Sequence, residues 1–321
     1  MRALVIFNPA AGLREARADL ERALPVLSRA GWDVTLEETE GPGEALEMSR
    51  GAAARGYEAV VAAGGDGTLN EVLNGIVGSD LLLGVLPLGV GNVWAREIGV
   101  PAAMAFAPDL ETAAEKLASG RVYRVDVGKA NERYFLLWAG VGLDASVVEA
   151  LDHRLKKRLG PVAFLLAGAR ALESLSASPV KIMVDGDETS RDVVLVEVSN
   201  AQTYASIARL ASEACLDDGL LDVTVFRGRG RLDAVRHIGT LLLGRHRRHP
   251  QVEELRGREI VITSDRPLSL HLDGEPSGTT PVDISVEPSA LRAIIPSDVR
   301  SGLFRQPPER ERATAVPLRQ V

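Results

Sequence analysis

Short apolar runs alternate with longer stretches in which apolar residues recur every three or four positions. Runs at residues 4–7, 34–38, 59–62 and 81–87 predict strands, while the periodicity over 13–30, 44–55 and 110–119 predicts helices. Strand and helix in alternation are most simply accommodated by a parallel sheet covered by helices. After about Arg124 the pattern turns strand-like, with runs at 134–138, 180–184, 193–199, 222–226 and 259–263. Helical patterns interrupt it at 162–176, apolar on several faces and so expected between sheets, and at 232–243. The last strand patterns, 282–286 and 291–295, can return to the first domain. The expected plan is an α/β domain over residues 1–124, a β-rich domain over 125–296 and a tail over 297–321, most of it too polar and proline-bearing to order.

Composition narrows the function classes. With 45% apolar residues in 321, the chain can bury one or two sizeable cores. A formal charge of -7 opposes a nucleic-acid backbone, so nucleic acid is not expected as the main partner. Cys215, the single cysteine, excludes an internal disulfide framework and a cysteine metal cluster, which fits a reducing cytoplasm. The opening MRALVIFNPAAG runs into Asn-Pro without a cleavage site and reads as a first strand rather than a signal peptide. No apolar run approaches the roughly 20 residues that span a bilayer, so membrane contact is expected to be peripheral. Oligomeric state leaves no sign in the sequence.

The segment VVAAGGDGTLNEVLNGI places Gly64, Gly65 and Gly67 between a strand and a helix. Glycines there let backbone amides approach an anion, and a helix N-terminus adds donors and a favourable dipole. A glycine-rich turn that binds nothing is the plain alternative. Asp66 tilts the balance, because a carboxylate inside a phosphate loop repels the ligand unless a cation such as Mg²⁺ bridges them.

GGDGTLNE resembles the signature of the diacylglycerol kinase catalytic-domain family, which includes sphingosine, ceramide and bacterial soluble lipid kinases. GGDGT also occurs in NAD kinases, so the other blocks carry the distinction. Asn8, Pro9, Ala10, Ala11 and Gly12 resemble the family's NPxxG loop, and Thr39 its second-strand threonine. PLGVGNVWAREIGVP resembles the PxGTxN block, with Gly89 and Asn92 retained. YFLLWAGVGLDASVV, LDDGLLDVTVF and LDGEP follow in family order. The resemblance implies a parallel-sheet nucleotide-binding domain of NAD kinase-like type, a β-sandwich-like second domain, and a catalytic cleft between them. ATP and Mg²⁺ are the implied cofactors. Gly64, Gly65, Asp66, Gly67, Thr68, Leu69 and Asn70 are expected to join the loops above around the nucleotide. Glu275 is the implied general base and Asp66 the residue tied to Mg-ATP. Asp218, with the carbonyls of Cys215 and Leu220, is the implied structural magnesium site. The implied substrate is a membrane lipid with a free hydroxyl, diacylglycerol first, met at an anionic surface.

Departures from the pattern matter. Val90 replaces a threonine and supplies no hydrogen bond, Val93 replaces an aspartate, and Leu13 replaces a lysine for which Arg14 can substitute. Tyr204, Ala205 and Ser206 occupy a region that is often glycine-rich. A NAD kinase-type small-molecule kinase and a catalytically weak nucleotide- or lipid-binding regulator are the two rivals. LDDGLLD and DGE also read as exposed turns, and His246 and His249 as surface residues without a zinc set. Nine arginines against three acids over residues 227–258 suit either a solvated face or docking on an anionic leaflet.

Overall fold

A computed structural model describes residues 1–12, 16–102, 109–150, 178–204 and 208–309. The first part runs β1 (Arg2–Phe7), α1 (Ala16–Arg29), β2 (Asp33–Glu38), α2 (Glu44–Arg50), β3 (Ala59–Gly64), α3 (Asp66–Ile76), β4 (Leu82–Pro87), α4 (Val93–Glu97) and α5 (Leu110–Ala118). β2, β1, β3 and β4 lie side by side and parallel. Every residue of β3 is buried, as expected of a strand covered on both faces. α1 buries Leu20, Ala23 and Leu27, the spacing that presents one face of a helix to a sheet. Asp109 caps α5, accepting a hydrogen bond from the Thr112 amide at 3.0 Å.

The second part is built from β5 (Arg121–Ala130), β6 (Arg133–Phe135), β7 (Trp138–Gly142), α6 (Leu143–Ala150), β8 (Ser178–Val184), β9 (Asp187–Ser199), β10 (Thr203–Tyr204) and β11 (Ala208–Arg209). It continues with β12 (Leu221–Arg227), α7 (Arg231–Leu242), β13 (Val252–Gly257), β14 (Glu259–Ser264), β15 (Ser269–Leu272), β16 (Glu275–Thr279) and β17 (Val282–Ile295). Its pairings are antiparallel, and a separate apolar core gathers Phe135, Val141, Ile182, Val196, Val223 and Ile260. β17 crosses from one part to the other: it pairs with β14 and β5, then runs parallel to β4 at Arg292 and Ala293. The mixed α/β architecture, parallel first and β-rich second, is the one expected. The helix expected over 162–176, Leu13, Arg14, Ala205 and Ser206 lie outside the described residues.

Two expectations change. The run at 134–138 is not one strand but the end of β6 and the start of β7, with a break at Leu136 and Leu137. The amides of Leu136, Leu137 and Trp138 donate instead to the Asp273 carboxylate at 2.8, 2.9 and 3.1 Å. A carboxylate with three local donors outcompetes a strand ladder there. The tail also begins in order rather than as free chain. Leu303 is buried, Phe304 packs on Tyr123, and Asp217 accepts from the amides of Arg305 and Gln306 at 2.7 Å each. Glu309 pairs with Arg292 and Arg124. Two apolar side chains and two buried carboxylate contacts compensate the ordering entropy that composition alone left unmatched; residues 310–321 lie outside the described residues.

Asn70 of α3 supplies a fourth donor to Asp273, at 2.9 Å. Burial pushes the Asp273 carboxyl up from its ordinary value, against the lowering pull of its donors. Asp273→Asn keeps the volume but turns an amide toward N–H groups that need an acceptor. We expect a loss of about 2–4 kcal/mol in urea unfolding; a loss below about 1 kcal/mol would remove this carboxylate from the structural framework.

Candidate active site

Gly64 ends β3, Gly65 precedes α3 and Asp66 opens it. At Gly64 a Cβ would fall 2.4 Å from Thr68 Oγ1, and at Gly89 it would fall 2.5 Å from the Gly65 Cα. The loops after β3 and β4 therefore touch backbone to backbone, which only glycine permits. Asn92 holds the second loop in a left-handed conformation, φ 49°. Its Oδ1 accepts from the Gly89 amide at 3.0 Å and its Nδ2 donates to the Gly89 carbonyl at 2.6 Å. Asp66 joins the loops: its Oδ1 accepts from the Val93 amide at 2.8 Å, and its Oδ2 lies where a Cβ on Gly91 would meet it at 2.7 Å.

The NPAAG loop folds over the same place. Asn8 donates to Thr68 Oγ1 at 3.0 Å and accepts from the Ala10 amide at 2.9 Å. Gly12, φ 80°, sits where a Cβ would strike the Leu88 carbonyl at 2.4 Å. Pro9 and Ala10 are exposed, Ala11 and Gly12 half-buried, and Thr39 is buried with its amide on the Phe7 carbonyl. Asn8, Gly12, Thr68, Gly65 and Gly89 thus converge on one cradle. Leu69 and Asn70 do not line it. Leu69 packs in the core, and Asn70, 2% exposed, spends its amide on Asp273 and the Tyr134 carbonyl.

Glu275 comes from the other part of the chain. It opens β16 immediately after the Asp273-Gly274 turn, and its Oε1 stands where a Cβ on Gly67 would come within 2.5 Å. Its Oε2 pairs with Arg133, which also donates to Asn70 Oδ1 at 2.8 Å. Arg133 had no signal in the sequence, since the hairpin that aims it, turned at Asn131 with φ 51°, carries no motif. Asn74 completes the junction, bonding the Tyr134 amide at 2.9 Å and its carbonyl at 3.1 Å.

The residues suggested for a structural magnesium lie beside two arginines. Asp218 is almost fully buried, and its Oδ2 meets the guanidinium groups of Arg305 at 3.0 Å and Arg256 at 3.7 Å. The Leu220 amide donates to its Oδ1 at 3.2 Å. Cys215 is a buried thiol beside the Gly302 carbonyl. Two arginines supply positive charge beside Asp218, yet its Oδ2 is buried and makes no hydrogen bond among the described residues, so its donor capacity toward a cation is not used up. His246 is also not a surface residue: it is buried, with Nε2 2.9 Å from the Leu210 carbonyl.

A family model described as the diacylglycerol kinase catalytic domain matches residues 2–130, and one described as the YegS C-terminal NAD kinase beta sandwich-like domain matches 138–295. A diacylglycerol kinase of Staphylococcus aureus (strain MRSA252) is 32% identical over 301 residues, 93% of each chain. The chain belongs to the diacylglycerol kinase family. The diacylglycerol kinase of Bacillus subtilis (strain 168) is 30% identical over 282 residues, 87% of this chain and 91% of its own. The crystal structure of a diacylglycerol kinase from Bacillus anthracis superposes with a TM-score of 0.75 at 27% identity, covering 92% of this chain and 97% of the other. This member is accordingly a lipid kinase of the diacylglycerol kinase type. Among its described residues no helix is long and apolar enough to cross a membrane.

The two glycine contacts predict different outcomes in this kinase. Gly67→Ala meets the tip of a flexible side chain, whereas Gly89→Ala meets backbone. In thermal unfolding Gly67→Ala should cost under about 1 kcal/mol and Gly89→Ala about 2–4 kcal/mol. Equal losses would mean that the two loops are not in contact.

Proposed function

We propose that the enzyme transfers the terminal phosphoryl group of Mg-ATP to the hydroxyl of a membrane lipid, diacylglycerol first, in the cleft where α3 meets β16. The observation that carries this is the approach of Glu275 Oε1 to Gly67: a carboxylate from the second part stands against the glycine loop of the first. Phosphoryl transfer to an alcohol needs both, a phosphate cradle and a proton acceptor near the hydroxyl.

The cradle fits a polyphosphate, because glycines at 65, 67, 89 and 91 remove the Cβ atoms that would screen backbone donors. Mg-ATP, when bound, supplies the transferable phosphoryl group and the cation that offsets its charge. Asp66 is the carboxylate in reach of that cation, already oriented by the Val93 amide. Asn8, Gly12, Thr39, Gly64, Thr68 and Asn92 shape the pocket. Glu275 takes the proton of the lipid hydroxyl as the oxygen attacks. Arg133 holds the other carboxylate oxygen and fixes the base's direction. The names of the curated relatives support diacylglycerol as the acceptor.

The basic segment supports approach to the lipid from a bilayer. Among the described residues, five of the six large apolar side chains that are exposed are Leu232, Val235, Ile238, Leu242 and Leu243, all on or just after α7. Exposed Arg245 and Arg248 flank them, while Arg247 is held by Glu213 and Glu254. An apolar stripe bordered by arginines suits an anionic leaflet in the plane of the membrane. Arg245→Glu with Arg248→Glu should weaken binding to phosphatidylglycerol vesicles at low salt, by about 1 kcal/mol or more per arginine. The effect should shrink as salt rises. Leu242→Ser with Leu243→Ser should weaken it at every salt concentration. Unchanged vesicle binding in both pairs would return α7 to an ordinary solvated face.

Glu275→Gln tests the chemistry. It preserves size but removes the base, so single-turnover transfer from ATP to diacylglycerol should slow about 10²- to 10⁴-fold with ATP affinity nearly unchanged. Full activity in the folded variant rules out an essential base at 275.

A further inference from the structure

A second cluster lies under α6, on the same strand that leads to Glu275 but outside the phosphate cradle. Glu197 of β9, Gly140 of β7 and His271 of β15 are direct cross-strand partners in one row. Residues so paired project to the same face of a sheet. The central position is glycine, and a Cβ there would fall 2.2 Å from His271 Nε2 and 2.7 Å from Glu197 Oε2. Its absence lets the two outer side chains converge. Asp144, in the first turn of α6, completes the group, its Oδ2 lying 2.5 Å from His271 Nε2. One ligating atom from each of Asp144, Glu197 and His271 lies within 4.8 Å of the others.

Glu197 is the unexplained member. It is fully buried, and neither carboxylate oxygen has a hydrogen-bond partner among the described residues. Burial and the neighbouring Asp144 push its carboxyl well above the ordinary value. A buried carboxyl with both oxygens bare, aimed at an imidazole and beside a second carboxylate, is unfavourable unless something positive joins them.

We propose that Asp144, Glu197 and His271 form a binding site for a divalent transition-metal ion such as Zn²⁺ or Mn²⁺. One imidazole and two carboxylates are ligands for such ions, and the imidazole disfavours Mg²⁺. Ligands about 2.1 Å from a tetrahedral ion stand roughly 3.4 Å apart, so a modest turn of Glu197 and a slight parting of Asp144 from His271 close the set. The Tyr204 hydroxyl, hydrogen-bonded to Asp144, borders the set. In the present arrangement the Gly274 amide approaches His271 Nδ1 at 3.3 Å. Metal at Nε2 moves the ring proton to Nδ1, so that contact loosens and occupancy is felt at the turn preceding Glu275. The site stands independently of the proposed phosphoryl transfer.

The test uses full-length, tag-free protein stripped with chelator, then loaded separately with Zn²⁺, Mn²⁺ or Mg²⁺, desalted and measured for bound metal by mass spectrometry. One equivalent of Zn²⁺ or Mn²⁺ should remain, and Mg²⁺ should wash out. Glu197→Gln keeps the shape of the buried side chain without its charge, so it should fold and should bind the ion at least about 10- to 100-fold more weakly by titration. His271→Asn should do the same, and if it fails to fold Glu197→Gln decides alone. Cys215→Ser and Asp218→Asn should leave occupancy unchanged. Substoichiometric metal in the wild-type protein, or equal retention in Glu197→Gln, overturns the proposal. Loss of the ion in Cys215→Ser or Asp218→Asn with retention in Glu197→Gln places it elsewhere and overturns it too.

Discussion

The Asp273 carboxylate is the constraint on which the active cleft depends. Its four donors come from three successive backbone amides between β6 and β7 and from Asn70 of α3. One buried anion therefore fixes the turn preceding Glu275, the break between two strands and the helix that carries the glycine loop. Hydrogen bonds to a charged acceptor are worth about 1.5–3 kcal/mol each. Their sum exceeds what any surface ion pair here contributes. Asn74 and Arg133 extend the same junction, and strand β17 together with an apolar cluster that takes in Leu136, Leu137 and Trp138 joins the two parts around it.

Such a junction brings the glycine loop of the first part against a carboxylate of the second. The cradle needs backbone exposed to an anion, which glycine provides at the expense of local rigidity. Rigidity is restored by side chains around it: Asn8 on Thr68, Asn92 on the Gly89 peptide, and Asp66 on Val93. The flexible residues are thus held by asparagine and aspartate, whose short side chains bond nearby backbone without filling the pocket.

Much of this was legible in the sequence where local signals were strong. Buried parallel strands announced themselves as continuous apolar runs, and GGDGT and LDGEP marked both sides of the cleft. What stayed hidden was relational. Nothing in Tyr134-Phe135-Leu136-Leu137-Trp138 says that its amides serve a carboxylate 135 or more residues away. Nor does a motif distinguish Asn70, spent on that junction, from the cradle residues beside it. Arg133, Glu197 and His271 acquire meaning only when distant strands set them side by side, and the burial of His246 depends on tertiary contacts with Leu210 and Phe226. The order at the start of the tail is relational in the same way, since Asp217 and Tyr123 supply partners that composition cannot count.

The path of β17 has a consequence for how the chain is made. β4 meets its neighbour on one side, β3, early in synthesis, but its other neighbour is Arg292 and Ala293, near the end of the described chain. Until those residues leave the ribosome, the first sheet carries an open edge of unpaired peptide groups, the feature that invites pairing with other chains. The glycine loops are complete in sequence by residue 92, yet the sheet beneath them cannot close until Arg292 and Ala293 have been made. A chain halted before those residues carries the glycine loop on a sheet whose edge still lies open to other chains.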